Sequence, residues 1–307
     1  MELRQLRTFQ TVARLMNFNR AADALNYAQS TVSAQIKLLE EELGVSLFDR
    51  LGKRIVITEA GQKLMRYAQK MIDIEQETLT EISNSETLIG SISVRAPQSV
   101  GTYLLPSVLQ QFKSQYPRVG FDVSSCALFT LQQELRSGII DVAFLLAESV
   151  NAADLTAELV RIEPLVFVSD PNHALTKSVG MTFHDLNGQS ILLPKHDCSY
   201  KMQFEEMLTA ENISPSVVME FNSIEAIKQC VIKGLGITVI PEIAVKAELA
   251  QNKLKKIPWL DEPLETGVLM IRHKDKWISP ALQAFMVICR ETMKLFPKPS
   301  VSNFKRG

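Results

Sequence analysis

The chain has 307 residues, 46% of them hydrophobic and 22% charged, with a net charge of −1. That is too long for one ordinary core and fits two or three domains of a globular protein. No apolar run reaches the roughly 18 residues of a membrane helix, and the opening "MELRQLRTFQ" has no signal-peptide core, so a cytoplasmic location is expected. The four cysteines (Cys126, Cys198, Cys230 and Cys289) form no C-x-x-C pair. This argues against a zinc site or a disulfide framework and for reduced thiols, and no cofactor is expected. Residues 1–58 hold eight Lys/Arg against six Asp/Glu. Any contact with DNA must therefore come from arrangement, not bulk charge.

Leu3, Leu6, Phe9, Val12, Ala13 and Met16 recur at helical spacing. Asn17–Asn19 break that helix, and Asn19 is placed to cap the next, "RAADALN". A third helix runs from Gln29 to Leu43 and ends at Gly44, suited to a left-handed cap. "SLFDRLGKRIVIT" reads as two short strands around a basic tip at Leu51–Gly52–Lys53. From Thr58 to about Leu88 there is no proline, and Leu64, Ala68, Met71, Ile72, Leu79 and Ile82 recur amid alternating charge. About 30 residues give a helix of roughly 45 Å. Nothing local can bury the stripe of so long a helix, so dimerisation along it is expected, the plain alternative being packing on its own chain.

After Gly90, short β-branched runs alternate with helical stretches at Thr102–Tyr116, Leu128–Ser137, Tyr200–Ala210, Ile224–Lys233 and Pro241–Ala250. The runs are "SISVRA", "GFDVSS", "DVAFLL", "PLVFVS", "SILLP", "VVMEF", "GITVIP" and "TGVLMIRH". Such alternation means an α/β sheet with parallel strands. The stretch is large for one lobe and comfortable for two, with Glu163–Pro164 and Glu265–Thr266–Gly267 as crossing points. The expected division is a small helical domain with a terminal hairpin at 1–58, a linker helix at 59–89 and a two-lobed α/β domain at 90–298. The first lobe takes about 91–162 and 267–298, the second about 163–266, and 299–307 read as a flexible tail.

Turned at about 100° per residue, the third helix has two specialised faces. Val32, Ile36, Leu39 and Leu43 fall in a sector of about 60°, the core stripe; Gln29, Ser30, Ser33 and Lys37 fall beside it, with Ala34 just beyond and Gln35 on the far side. No acid precedes Glu40. Major-groove reading wants this layout, because the first turns reach base edges and acids there would repel phosphates. Glutamine bonds adenine bidentately, and serine suits base or phosphate. Arg50, Lys53 and Arg54 would sit beside the backbone or minor groove. The plain alternative is a solvated polar face.

The segment "AADALNYAQSTVSAQIKLLEEELGVSLFDR" followed by "ITEAG" resembles the winged helix-turn-helix of LysR-type transcriptional regulators, through AAxxLxxxQSxVSxQIxxLEExLGxxLFxR. "LRSGIIDVAF" and "VIKGLGITVIP" are similar to recurrent phrases of that family's effector domain, built like a periplasmic binding protein. The resemblance spans essentially the whole chain. It implies DNA contacts at Gln29, Ser30, Thr31, Ser33 and Ala34 and at the wing residues Lys53 and Arg54. Many members carry arginine where this chain has Ala34, so a guanine reader is missing, although Ala34 suits a thymine methyl. The resemblance also implies homodimers or homotetramers and a small-molecule effector.

Ligands in such sheets collect at the carboxyl ends of strands, where helix N-termini point. Four loops fit: Gln98, Ser99 and Thr102; Phe129 and Thr130; His196, Cys198 and Ser199; and Asn222 with Ser223. Hydroxyls beside free amides suit a carboxylate or another small anion, while each is equally a plain helix cap. The resemblance favours Ser99, Ser199 and Ser223. Cys198 stands where peroxide-sensing members carry a reactive cysteine, and a helix N-terminus lowers a thiol pKa. No resolving cysteine follows in "SYKMQFEEMLTA", so a wall residue is favoured over a redox switch. An enzyme is disfavoured, since His173, His184, His196 and His273 have no partner at catalytic or metal spacing and neither G-x-S-x-G nor a P-loop occurs. The absent signal peptide and the DNA module disfavour a secreted solute-binding protein.

Overall fold

A computed structural model of the chain describes residues 1–51, 54–82, 88–125, 128–150, 152–195 and 199–294. The tail expected at 299–307 lies outside them.

Three helices, α1 (Leu3–Leu15), α2 (Phe18–Leu25) and α3 (Gln29–Leu43), precede a hairpin of β1 (Phe48–Leu51) and β2 (Arg54–Ile57). Leu6, Phe9, Val12, Ala21, Ala22, Val32, Ile36 and Leu39 form their core with Leu47 and Phe48. Gly44 takes the left-handed cap at φ 69°. The cap of α2 is Asn17, not Asn19: Met16 already adopts a left-handed conformation, and the Asn17 side-chain Oδ1 accepts from the amides of Asn19 (2.9 Å) and Arg20 (3.0 Å). The chain turns two residues earlier than the polar Asn19 suggests. Leu43 leaves the core stripe and is 38% exposed, as the last residue of α3 before the Gly44 cap.

Helix α4 (Glu59–Ile82) has 24 residues, about 36 Å. The helix expected to run to about Leu88 does not include it: Leu88 and Ile89 are not helical, Leu88 packs into the next core, Gly90 turns the chain at φ 136°, and residues 83–87 lie outside the described residues. Its apolar residues divide between two faces. Met65, Ala68 and Ile72 pack on the first core, while Tyr67, Met71, Ile74 and Leu79 are exposed. Gly61 is required where α4 meets the wing, since a Cβ there would lie 2.4 Å from the Leu47 carbonyl oxygen.

The α/β part is two-lobed. In the first lobe β3 (Gly90–Ala96), β4 (Val119–Ser125) and β5 (Val142–Leu146) are parallel. In the second, β7 (Ser190–Pro194) and β8 (Val217–Phe221) are parallel. The crossing strands break the all-parallel expectation. β11 (Glu265–His273) is antiparallel to β5 and to β6 (Leu155–Ser169), because a strand that returns from the second lobe must run against the one that left. β6 serves both lobes: it pairs with β11 as far as Pro164, then with β9 (Thr238–Pro241) and β10 (Lys255–Lys256).

The helix expected at Thr102–Tyr116 is two, α5 (Gln98–Tyr103) and α6 (Leu105–Gln115). Pro106 cannot donate into the preceding turn and its ring crowds it, so the helix breaks at Leu104 and restarts at Leu105. α7 (Leu128–Ser137), α8 (Ser199–Ala210) and α9 (Ile224–Ile232) match expectation, whereas Pro241–Ala250 divides into a 3-10 turn at Glu242–Ala244 and α10 (Lys246–Ala250). The strand–helix reading omits α11 (Pro280–Met293), whose Ala281, Leu282, Phe285, Met286, Ile288 and Cys289 complete the first-lobe core.

At the crossing, Arg161 and Glu163 form a buried pair at 2.5 Å. Glu163 also accepts from the Ile243 amide (2.8 Å), and Arg161 donates to the Met293 carbonyl (3.4 Å). Gly267 runs so close to the neighbouring strand that a Cβ would lie 2.7 Å from the Ala147 carbonyl oxygen. Gly267→Ala is expected to lower stability by roughly 1–3 kcal/mol through overpacking, read in urea denaturation; an unchanged midpoint would show that the crossing yields.

Candidate nucleic-acid interface and interlobe site

α3 begins without a side-chain cap. The Ala28 carbonyl accepts from Thr31 (3.0 Å) and Val32 (3.2 Å), and among the described residues nothing accepts from the amides of Gln29 and Ser30. The first turn carries no acid. This leaves an exposed, positively polarised helix end with donors pointing outward, the arrangement that suits phosphate. Gln29, Ser30, Thr31, Ala34 and Lys37 are exposed and Ser33 is half-buried. Gln29 Nε2 donates to Ser33 Oγ (2.8 Å), which aligns the two side chains on one edge.

The acids at the other end have local partners. Glu40 accepts from the amides of Leu47 (2.7 Å) and Phe48 (3.3 Å), holding the wing against α3, and Glu41 pairs with Lys37 (3.6 Å). Gln35 is buried and accepts from Thr8 Oγ1 (2.6 Å), so it joins α3 to α1 and faces no groove. Arg50 and Arg54 belong to the wing strands, with Leu51 paired to Arg54. Lys53 and the side chains of Arg50 and Arg54 lie outside the described residues.

Of the interlobe candidates, Gln98 opens α5 in the first lobe and its Oε1 accepts from the Ile224 amide at the start of α9 in the second (2.7 Å). Ser223 caps α9 through a 3.4 Å bond from the Ala226 amide. Ser99 is 1% exposed, and its hydroxyl has no partner among the described residues. An unmet buried hydroxyl costs about 1–3 kcal/mol. Thr102 and Asn222 are exposed. His196, Cys198 and the side chains of Phe129, Thr130 and Ser199 lie outside the described residues. The structure therefore joins the Gln98 loop to the Asn222–Ser223 loop.

Sequence reasoning missed Tyr103, Tyr200, Lys228 and Thr266. Lys228 is buried yet charged, donating to Glu248 (2.7 Å), Glu225 (2.9 Å) and Tyr103 Oη (3.1 Å). Burial opposes its charge, but the bonds to Glu248, Glu225 and Tyr103 outweigh burial and raise its pKa. A signal for it was present: a lysine stands within the apolar stripe Ile224, Ile227, Val231.

Thr8→Val is expected to strand the Gln35 amide and to lower stability by roughly 1–3 kcal/mol while sparing sequence discrimination by the folded fraction. Denaturation and binding titrations separate the two effects.

Two family descriptions match the chain: "Bacterial regulatory helix-turn-helix protein, lysR family" over residues 3–62 and "LysR substrate binding domain" over residues 85–294. YwqM, an uncharacterized HTH-type transcriptional regulator of Bacillus subtilis (strain 168), is 38% identical over 296 residues, 96% of this chain and 100% of that protein. A full-length OxyR variant from Pseudomonas aeruginosa has a TM-score of 0.74 at 24% identity, covering 96% of this chain and 95% of that one. Full-length CbnR complexed with its target DNA has a TM-score of 0.56 at 20% identity, covering 96% and 100%. At these identities the two structures speak to fold alone.

Proposed function

The chain belongs to the LysR family of transcriptional regulators, and from that premise we propose that α3 reads operator DNA in the major groove under control of a small effector held between the lobes. The observation that carries the reading is the exposed, uncapped, acid-free start of α3. Gln29, Ser30, Thr31 and Ser33 take the base edges, Ala34 meets a thymine methyl, and Lys37, Arg50, Lys53 and Arg54 take phosphates. Residues 1–58 act as the DNA-binding domain and 90–298 as the effector domain. The exposed face of α4, with Tyr67, Met71, Ile74 and Leu79, supports its use as a dimer seam. The effector is a small anion, favoured by the α9 N-terminus and by the buried hydroxyl of Ser99. Regulation is by ligand-dependent population shift, not catalysis.

With DNA selected by the chain from a random pool, Gln29→Ala or Ser33→Ala is expected to lose roughly 1–3 kcal/mol of discrimination per lost base contact. Lys53→Ala is expected to weaken all sequences alike and to reduce the salt slope by about 1. Undiminished discrimination in the α3 variants would remove the assignment of that face.

A further inference from the structure

Beyond the two crossing strands, each lobe lends a tyrosine to the other. Tyr200, on α8 of the second lobe, is 1% exposed and belongs to the first-lobe core with Val100, Leu146 and Val268. Tyr103, on α5 of the first lobe, packs against the second-lobe core of Ile224, Ile227 and Val231, and its hydroxyl accepts from Lys228. Gln98, on the same short helix, holds the Ile224 amide. Ile224 and Lys228 are one turn apart on α9, so they share a face. α5 thus grips α9 at two points.

The grip leaves hydrogen-bonding capacity unused beside it. The hydroxyls of Ser99 and Thr266 are each in residues 1% exposed and have no partner among the described residues. Both flank the 242–244 turn: α5 packs on that turn, and Thr266 lies opposite Glu163, which accepts from Ile243.

We infer that Gln98 and Tyr103 form a clasp that holds the two lobes together, and that an anionic effector works by displacing Gln98 from the Ile224 amide and supplying Ser99 with its missing partner. Effector entry then loosens a closed pair of lobes instead of closing an open one. The inference rests on the proposed effector cleft. Three features of the clasp favour the exchange. The Gln98 amide oxygen is neutral, and an anion at a helix N-terminus accepts more strongly. Release of Tyr103 does not strand the Lys228 ammonium, because Glu225 and Glu248 stay with it inside the second lobe. Ser223 keeps its own bond to the Ala226 amide throughout, so α9 remains capped while its first amide changes partner.

The test uses the full chain labelled with fluorotyrosine, whose five tyrosines are assigned by single Tyr→Phe changes, together with amide exchange. Gln98→Ala is expected to speed exchange at Ile224 about tenfold, leave Ala226 unchanged and move the Tyr103 and Tyr200 resonances while Tyr27 stays fixed. Sulfate and oxalate are expected to move the same two resonances in the natural chain. Gln98→Glu, which brings its own carboxylate to α9, is expected to weaken that response at least fivefold. Unchanged Ile224 exchange and unchanged Tyr103 and Tyr200 resonances in Gln98→Ala overturn the clasp. An anion response that is equal in the natural chain and both variants overturns the displacement while leaving the effector cleft intact. If Gln98→Ala moves both tyrosines and none of a panel of small acids, sulfate and oxalate included, moves anything in the natural chain, the cleft reading fails with the displacement, and the clasp alone stands.

Discussion

Glu163 is the point through which both lobes are tied. It lies on the one strand that belongs to both sheets, and each of its carboxylate oxygens holds a different element. One meets Arg161, which reaches the carbonyl at the end of α11, and the other meets the Ile243 amide in the second lobe. Both charges are out of water, so desolvation offsets much of their attraction and the pair contributes little net stability. Its contribution is geometric. Removing either partner would leave a buried charge, which costs about 3–5 kcal/mol. The backbone at the crossing is thereby held in one register, with Pro164 beside Glu265 and Gly267 against the Ala147 carbonyl. Everything proposed for the cleft, from the unmet Thr266 hydroxyl to the clasp, depends on this register.

Against that fixed point the clasp is light. Gln98 to Ile224 is an ordinary neutral hydrogen bond, worth about 0.5–1.5 kcal/mol net. The Tyr103 contact to Lys228 can open without stripping the ammonium of its carboxylates. Tyr200 is the heavier element, because its ring is fully sequestered in the first-lobe core. A small molecule can supply interactions on the scale of the former but not replace the latter. The motion expected from the proposed clasp is therefore a rocking about β6 and β11, with α5 and α9 shifting at the rim.

The sequence was legible where one chemical pattern has one structural meaning. Val32, Ile36 and Leu39 on a 3.6-residue period could only be a buried stripe, and Gly44 ends α3 as glycine placement suggests. It was less legible where neighbours decide. A wheel sets Gln35 on the far side from the polar face but cannot name its partner, which Thr8 on another helix supplies. Asn19 looked like a cap until Met16 turned the chain early and gave the role to Asn17. Lys228 carried a local anomaly, a cation in an apolar stripe, but Glu248 and Tyr103 lie on elements remote in sequence. The interlobe exchange of tyrosines had no local signature, since tyrosine is equally at home on a surface and in a core.

The first lobe is not free of the DNA-binding core. Ile139, just after α7, packs against the cluster that buries Leu6, Val32 and Ile36. Gly138 lies so near α4 that a Cβ would stand 3.8 Å from that of Gln69, whose side chain accepts from Gln10 on α1 (2.8 Å). Arg14 and Asp122 add a long, exposed ion pair at 3.8 Å, which contributes at most a few tenths of a kcal/mol beside the apolar contact. First lobe, α4 and α3 thus form one continuously packed body, while the second lobe is attached through two strands, the buried Tyr200 and the clasp. On the proposed mechanism, loosening the clasp moves the second lobe relative to a frame that already contains α3, the helix proposed to read DNA. The consequence for DNA does not require a signal to cross the first lobe. It requires only that the second lobe change where it sits against whatever lies beside that frame, which in the proposed dimer along the exposed face of α4 is a second copy of the chain.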